Sequence, residues 1–320
     1  MILAADARLV APGHQRGARD GADGRGDKRA RKPRALRRQR IHVWRANRHL
    51  AVARKMWRHV VHENPEDVRF YGSGGVATKR AIDLPAPIGS IVATTDPDVL
   101  LVSHRAGLST LRIDDLVLQP HANPEQNRDG VISNDLKVDR WGRLWLATSH
   151  EKEQLPRGAL WCVENSTRWT LADVGFAIGN GPAFSPDGKV LYFSDSFNRQ
   201  ILAYDISKDN SLVVGRRVLA QFTVEEGMPD GLTVDASGNI WSAQWAGASI
   251  FKLSPAGEKL QHIAVPSGHV TSVAFNHNRL LITTARDGLS DETLRRYPLS
   301  GSVFELATDE VGLAEPLFQL

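Results

Sequence analysis

Short apolar runs separated by turn residues recur along the chain from about residue 85 onward. The clearest copy is GNGPAFSPDGKVLYFSDS, residues 179–196, in which a run ending at Phe184 meets a Pro186-Asp187-Gly188 turn and a second run, 190–193, ends in Asp195. Two strand-forming runs joined by turn residues predict a β-hairpin. NDLKVDRWGRLWLATS (134–149) and PDGLTVDASGNIWSAQW (229–245) repeat this layout, and their turn glycines Gly142, Gly188 and Gly238 stand 46 and 50 residues apart. Weaker copies turn at residues 96–98 and 276–278. A period of roughly 40–50 residues, with short strands and no long helical pattern, predicts a β-propeller with one blade per repeat. Outer strands follow at the expected places: third strands at 159–163, 201–204, 249–253 and 303–306, and fourth strands at 219–222 and 262–265.

The repeat aligns three residues that otherwise look unrelated. Five positions before Asp139, Ser185 and Asp235 stand Asn134, Asn180 and Asp230, each just ahead of the first strand of its repeat. First strands of propeller blades line the central channel, so equivalent positions at one end converge on the axis. Three oxygen-bearing side chains at one level suit a hard divalent cation or a polar small ligand. Asn, Asp and Gly also suit tight turns, and the neighbouring repeats put Ser90 and Thr271 near the same level, so a purely structural role stays open at this point.

Six segments occur in order over some 230 residues: NDLKVD, RGALWCVEN, GNGPAFSPDGKVLYFSDS, MPDGLTVDASGNIW, VTSVAF and ARDGLSDETL. In these the chain resembles the senescence marker protein, gluconolactonase and luciferin-regenerating enzyme family. The resemblance implies an all-β, six-bladed β-propeller that opens the ring of a sugar (aldono-)lactone with one bound divalent cation. It implies Asn180 and Asp230 as metal ligands, Asp230 also as the catalytic base, and Asn134 as a contact to substrate and metal-bound water. Glu151, with Glu153 as the alternative, takes the family's acidic substrate-contact role. Oxygen ligands alone favour Ca, Mg or Mn, with Zn tolerated. Two departures stand out: Ile132 replaces the family's Arg two positions before Asn134, and Leu136 turns NDGK into NDLK. A third concerns the family's first-blade Glu ligand, because the first Glu of the chain is Glu63 and Asn47 occupies the corresponding interval. These departures keep a rival reading in view, a non-catalytic or weakly active propeller that binds a small ligand.

Composition divides the chain. Residues 1–58 hold 17 Lys and Arg against 4 Asp, whereas the remainder holds 23 basic against 32 acidic residues. A basic leader over 1–55, disordered or non-native, is therefore expected ahead of a propeller over 56–320, with residues 56–83 supplying the later strands of a first blade. Three readings of the leader compete: a nucleic-acid-binding arm, a solvated tail, and a stretch from a wrong frame or upstream start; the last is favoured. One cysteine, Cys162, excludes an internal disulfide and points to a reducing, cytoplasmic setting with the thiol in the core. No apolar run reaches the ~18 residues of a membrane helix. HExxH, GxSxG, P-loop and dinucleotide patterns are missing, so His62, His150 and His269 read as surface or mouth residues and no side-chain nucleophile stands out.

Overall fold

The computed structural model describes residues 88–320 except Leu116, together with the strands β1 (Ile41–Trp44), β2 (Ala51–Val52), β3 (Asp67–Tyr71) and β4 (Ala81–Asp83). From residue 88 the chain runs as successive antiparallel meanders. The first is β5 (Ile88–Ala93), β6 (Val99–His104), β7 (Gly107–Arg112) and β8 (Leu118–Ala122). The second is β9 (Val131–Val138), β10 (Leu144–His150), β11 (Gly158–Val163) and β12 (Trp169–Phe176). The third is β13 (Gly179–Phe184), β14 (Val190–Asp195), β15 (Gln200–Ser207) and β16 (Asn210–Gln221), and the fourth is β17 (Met228–Val234), β18 (Ile240–Trp245), β19 (Ser249–Leu253) and β20 (Lys259–Ala264). The fifth is β21 (His269–Asn276), β22 (Arg279–Ala285) and β23 (Val303–Ala307), and its outer edge is β1, paired antiparallel with Ile41 opposite Leu306.

The propeller expectation holds, but the blade count is corrected. Five four-stranded blades are present among the described residues where six were expected. The remaining sheet is three-stranded, and its two-residue β2 runs parallel to β3, so it does not continue the antiparallel meander that defines the other blades. β1, which falls within the stretch expected to be a disordered or non-native leader, pairs with β23 as the fourth strand of the fifth blade. β16 starts earlier than expected because a tight turn pairs Ser207 with Asn210. Between β22 and β23 a short helix, α1 (Asp291–Arg296), starts where the Ser290 hydroxyl accepts from the Thr293 amide, with Asp291 and Glu292 in its first turn and Arg295 and Arg296 in its last.

The apolar core lies between blades. Trp145, Leu160, Cys162 and Phe176 of the second blade pack on Phe184, Leu191, Phe193 and Leu202 of the third, and comparable clusters join the third to the fourth and the fourth to the fifth. The hairpin turns are tied by buried carboxylates. Asp139 accepts from the amides of Trp141 and Arg143, from Arg143 Nε at 2.7 Å and from Trp145 Nε1 at 2.9 Å. Asp235 does the same for Ser237, Asn239 and Trp241 Nε1. The residues that marked the repeat in the sequence are thus the anchors of the inner hairpins, and they set the height of the residues five positions earlier.

Candidate active site

In each of the five inner strands the pairing with the second strand slips at the same level. The slip leaves Gly89 in β5, Asn134 and Asp135 in β9, Gly181 and Pro182 in β13, Asp230 and Gly231 in β17, and Thr271 in β21. A bulge of this kind bends a strand and re-aims its side chains. Here it turns one level of every inner strand away from its own ladder and toward the neighbouring blade. Glycine permits the close approach. A Cβ on Gly89 would fall 2.6 Å from the Asn134 carbonyl oxygen, and one on Gly181 would fall 2.8 Å from that of Asp230.

The side chains of Asn134 and Asn180 meet, and hydrogen bonds carry on from them to the backbone of the strand that bears Asp230. Asn134 Nδ2 donates to the Gly179 carbonyl at 2.9 Å and to Asn180 Oδ1. Asn180 is buried, and its Nδ2 donates to Ser196 Oγ at 2.9 Å, which in turn donates to the Pro229 carbonyl at 2.6 Å. Ser194 Oγ donates to the carbonyl of Asp230 at 2.8 Å. One hydrogen-bonded chain therefore links Asn134, Asn180 and the strand of Asp230 across three blades. It also settles the amide orientation of Asn180, whose oxygen faces Asn134. Of the two further candidates for this level, Thr271 shares a hydrogen bond with Thr283 of its own blade at 2.7 Å, and Ser90 uses its backbone amide on Ser103 Oγ at 2.8 Å.

The charges are concentrated on two strands. Burial first, then the neighbouring Asp135 and Glu153 carboxylates, hold Asp230 well above the ordinary carboxylate range, with the Gly231 amide opposing. Asp135 is raised by burial, while the Gly181 amide and Lys137 pull it back. Asp135 Oδ2 accepts from the Gly181 amide at 2.6 Å. Sequence reasoning passed over Asp135, although a signal was present: in the repeat its counterparts are Gly181 and Gly231, so a carboxylate stands where two copies have glycine.

The loop after β10 places its two acids differently. Glu151 is exposed and paired with Arg105 of the first blade at 2.5 Å, a contact that holds its carboxyl below the usual range. Glu153, held in a left-handed conformation at φ 55°, is the loop acid whose charge reaches Asp230. Leu136 is buried in the core between the first two blades, and Ile132 stands in β9 where it offers no charge. His150 and His269 are buried rather than exposed. Nδ1 of His150 accepts from the amides of Gln154 and Leu155, and Nδ1 of His269 accepts from Ala246 while its ring stacks on Trp245 at 3.8 Å. Asn47 and His62 lie outside the described residues.

Among the described residues no three His, Cys, Asp or Glu side chains form a cation site. The donor set at the bulge level is mixed instead: the carboxylate oxygens of Asp230 and the amide oxygen of Asn180, with Asp135 Oδ2 taken up by the Gly181 amide. All are hard oxygen donors, and that chemistry fits Ca, Mg or Mn.

Comparison with known proteins follows the same line. A model of the SMP-30/gluconolactonase/LRE-like region matches residues 37–286. A putative sugar lactone lactonase of Rhizobium meliloti (strain 1021) is 33% identical over 241 residues, covering 74% of this chain and 81% of the relative. A 6-deoxy-6-sulfogluconolactonase of Pseudomonas putida is 32% identical over 249 residues, covering 77% and 84%. The crystal structure of a calcium-binding protein, regucalcin, from Agrobacterium tumefaciens strain C58 superposes with a TM-score of 0.71 at 30% identity, covering 76% of this chain and 83% of that one.

Proposed function

The chain belongs to the SMP-30/gluconolactonase/LRE-like family, and from that premise we propose that it hydrolyses a sugar (aldono-)lactone, in the cytoplasm, with the aid of one divalent cation. The observation that carries this reading is the hydrogen-bonded convergence of Asn134 and Asn180 with the strand of Asp230 at one bulged level of the channel. Lactonases among its relatives support the substrate class, and a calcium-binding neighbour supports the cation.

Asn180 Oδ1 and the Asp230 carboxylate would hold the cation, with water completing its coordination shell. When bound, such an ion polarises a lactone carbonyl and lowers the pKa of water. Asp230 takes the proton from the attacking water, a role suited to a buried carboxylate whose affinity for protons is raised by its surroundings. Asn134 offers the sugar hydroxyls an amide already oriented by Gly179 and Asn180. Glu151 supplies the acidic substrate contact at the rim, and Glu153 the negative field nearer the base.

Lactone opening releases a proton, so the reaction can be followed in a weakly buffered indicator assay with glucono- or arabino-lactone. Activity should vanish after exhaustive chelation and return with Ca or Mn. Asp230→Ala should lower kcat by about 10²–10⁴, whereas Asn180→Ala should chiefly raise the cation concentration needed. Full activity in the chelated protein would overturn the metal-assisted mechanism. A protein that binds the cation but hydrolyses no lactone would favour the small-ligand-binding propeller, the reading that Ile132 and Leu136 favour.

A further inference from the structure

The bulge of β13 creates a problem that only one side chain of the channel solves. Between Asn180 and Ala183 the ladder to β14 is interrupted, so the amide of Gly181 has no strand partner. The same residue is wedged between blades, since a Cβ there would lie 2.6 Å from the Leu232 amide and 2.8 Å from the Asp230 carbonyl oxygen. It sits at φ +43°, a left-handed conformation that favours glycine. Gly181 is thus the hinge between the two expected metal ligands, next in chain to Asn180 and against the backbone of Asp230. Its amide donates to Asp135 Oδ2 at 2.6 Å, short as hydrogen bonds to a charged acceptor are.

We propose that Asp135 is a positioning residue, whose carboxylate in the β9 bulge grips the Gly181 amide and so fixes the backbone that aims Asn180 and abuts Asp230. The proposal rests on the reading of Asn180 and Asp230 as cation ligands. Asp135 Oδ2 is occupied by this bond. The acid is balanced from below: Lys137, two residues on, lies close enough to oppose its rise and is itself paired with Glu315 of the C-terminal segment at 2.6 Å. At this position of the repeat the described inner strands have Ser90, Asp135, Gly181, Gly231 and Ser272, so among them a carboxylate stands here in β9 alone.

The test uses the full chain carrying ¹⁵N-glycine, as wild type, Asp135→Asn and Asp135→Ala. Two readouts are taken: the Gly181 amide proton shift and exchange rate without metal, and Ca binding by calorimetry. In Asp135→Ala the Gly181 amide should move upfield and exchange faster, and Ca affinity should fall by about 10–100-fold, as for other groups that orient ligands. Activity should return at saturating Ca. Asp135→Asn keeps an acceptor, so its affinity should stay within about threefold of wild type with a smaller upfield move. An unmoved Gly181 amide in Asp135→Ala overturns the proposal, as does an Asp135→Asn variant that loses as much affinity as Asp135→Ala, which would make Asp135 a ligand. Should Asp135→Ala not melt cooperatively, the isosteric Asp135→Asn decides by whether its Gly181 amide moves. Should the wild type bind no Ca, the metal reading fails, and the Gly181 amide still decides the role of Asp135.

Discussion

At the scale of single residues the site is a problem of crowded negative charge. Asp230 and Asp135 both bind protons more readily folded than unfolded, because burial disfavours their charged forms and, for Asp230, Asp135 and Glu153 repel a further charge. Groups raised in this way contribute stability below the unfolded carboxylate value and lose it as pH rises through the folded one. The chelated Asp230→Asn protein should therefore melt above the chelated wild type at neutral pH, and the gap should close on titration down to about pH 4. Added Ca should reverse the order, since only the wild type offers it a carboxylate there. Identical melting curves at pH 7 would contradict the crowding. The rim acids give a second comparison. Glu153 acts on Asp230 and Glu151 is tied to Arg105, so Glu153→Gln should shift the acidic limb of kcat/KM downward, and Glu151→Gln should leave that limb in place. A shifted limb in Glu151→Gln alone would reverse the assignment.

At the scale of elements each blade hangs on its inner hairpin, and in the second and fourth blades that hairpin hangs on one buried acid, Asp139 or Asp235. Asp139→Ala would leave the guanidinium of Arg143 without its carboxylate, and the Trp145 indole and two turn amides without their acceptor, a loss of about 3–5 kcal/mol by analogy with broken buried ion pairs. Asp235→Ala removes only neutral partners and should cost less, about 1–3 kcal/mol. Urea denaturation of the two variants measures the difference, and equal losses would show that the Arg143 pair adds nothing. These hairpins were legible in the sequence because alternation and turn residues are local, and the alignment of Asn134, Asn180 and Asp230 was legible because the blades repeat. The bulges were not. An inserted residue leaves no mark on composition, and the contact between Asp135 and Gly181 spans 46 positions that only the packing of neighbouring blades brings together. The loop after β10 is illegible for the same reason, since its register follows from packing and the sequence shows only two acids, Glu151 and Glu153, two residues apart.

At the scale of the whole molecule the C-terminal segment ties blades together. The C-terminal segment after β23 crosses the far ends of the inner strands: Phe318 bridges to Thr94 of the first blade, Glu315 pairs with Lys137 of the second, Gly312 bridges to Asp235 of the fourth, and its amide donates to the His277 carbonyl of the fifth. Nothing in its sequence alternates, so its role was not legible. Towards the other end β1 supplies the outer strand of the fifth blade, and the family match itself begins at residue 37. The basic leader is therefore two things, a segment before residue 37 and a strand after it. Removing residues 1–36 should leave the melting temperature unchanged and abolish any salt-sensitive nucleic-acid affinity that the Arg-rich stretch confers. Removing residues 1–55 should take away β1 and leave β23 as an open edge with unpaired backbone groups, an invitation to edge-to-edge association. That variant should melt lower and aggregate on heating. If both truncations melt as the full chain does, β1 contributes nothing to the fifth blade; if both fall, the Arg-rich segment itself is part of the fold.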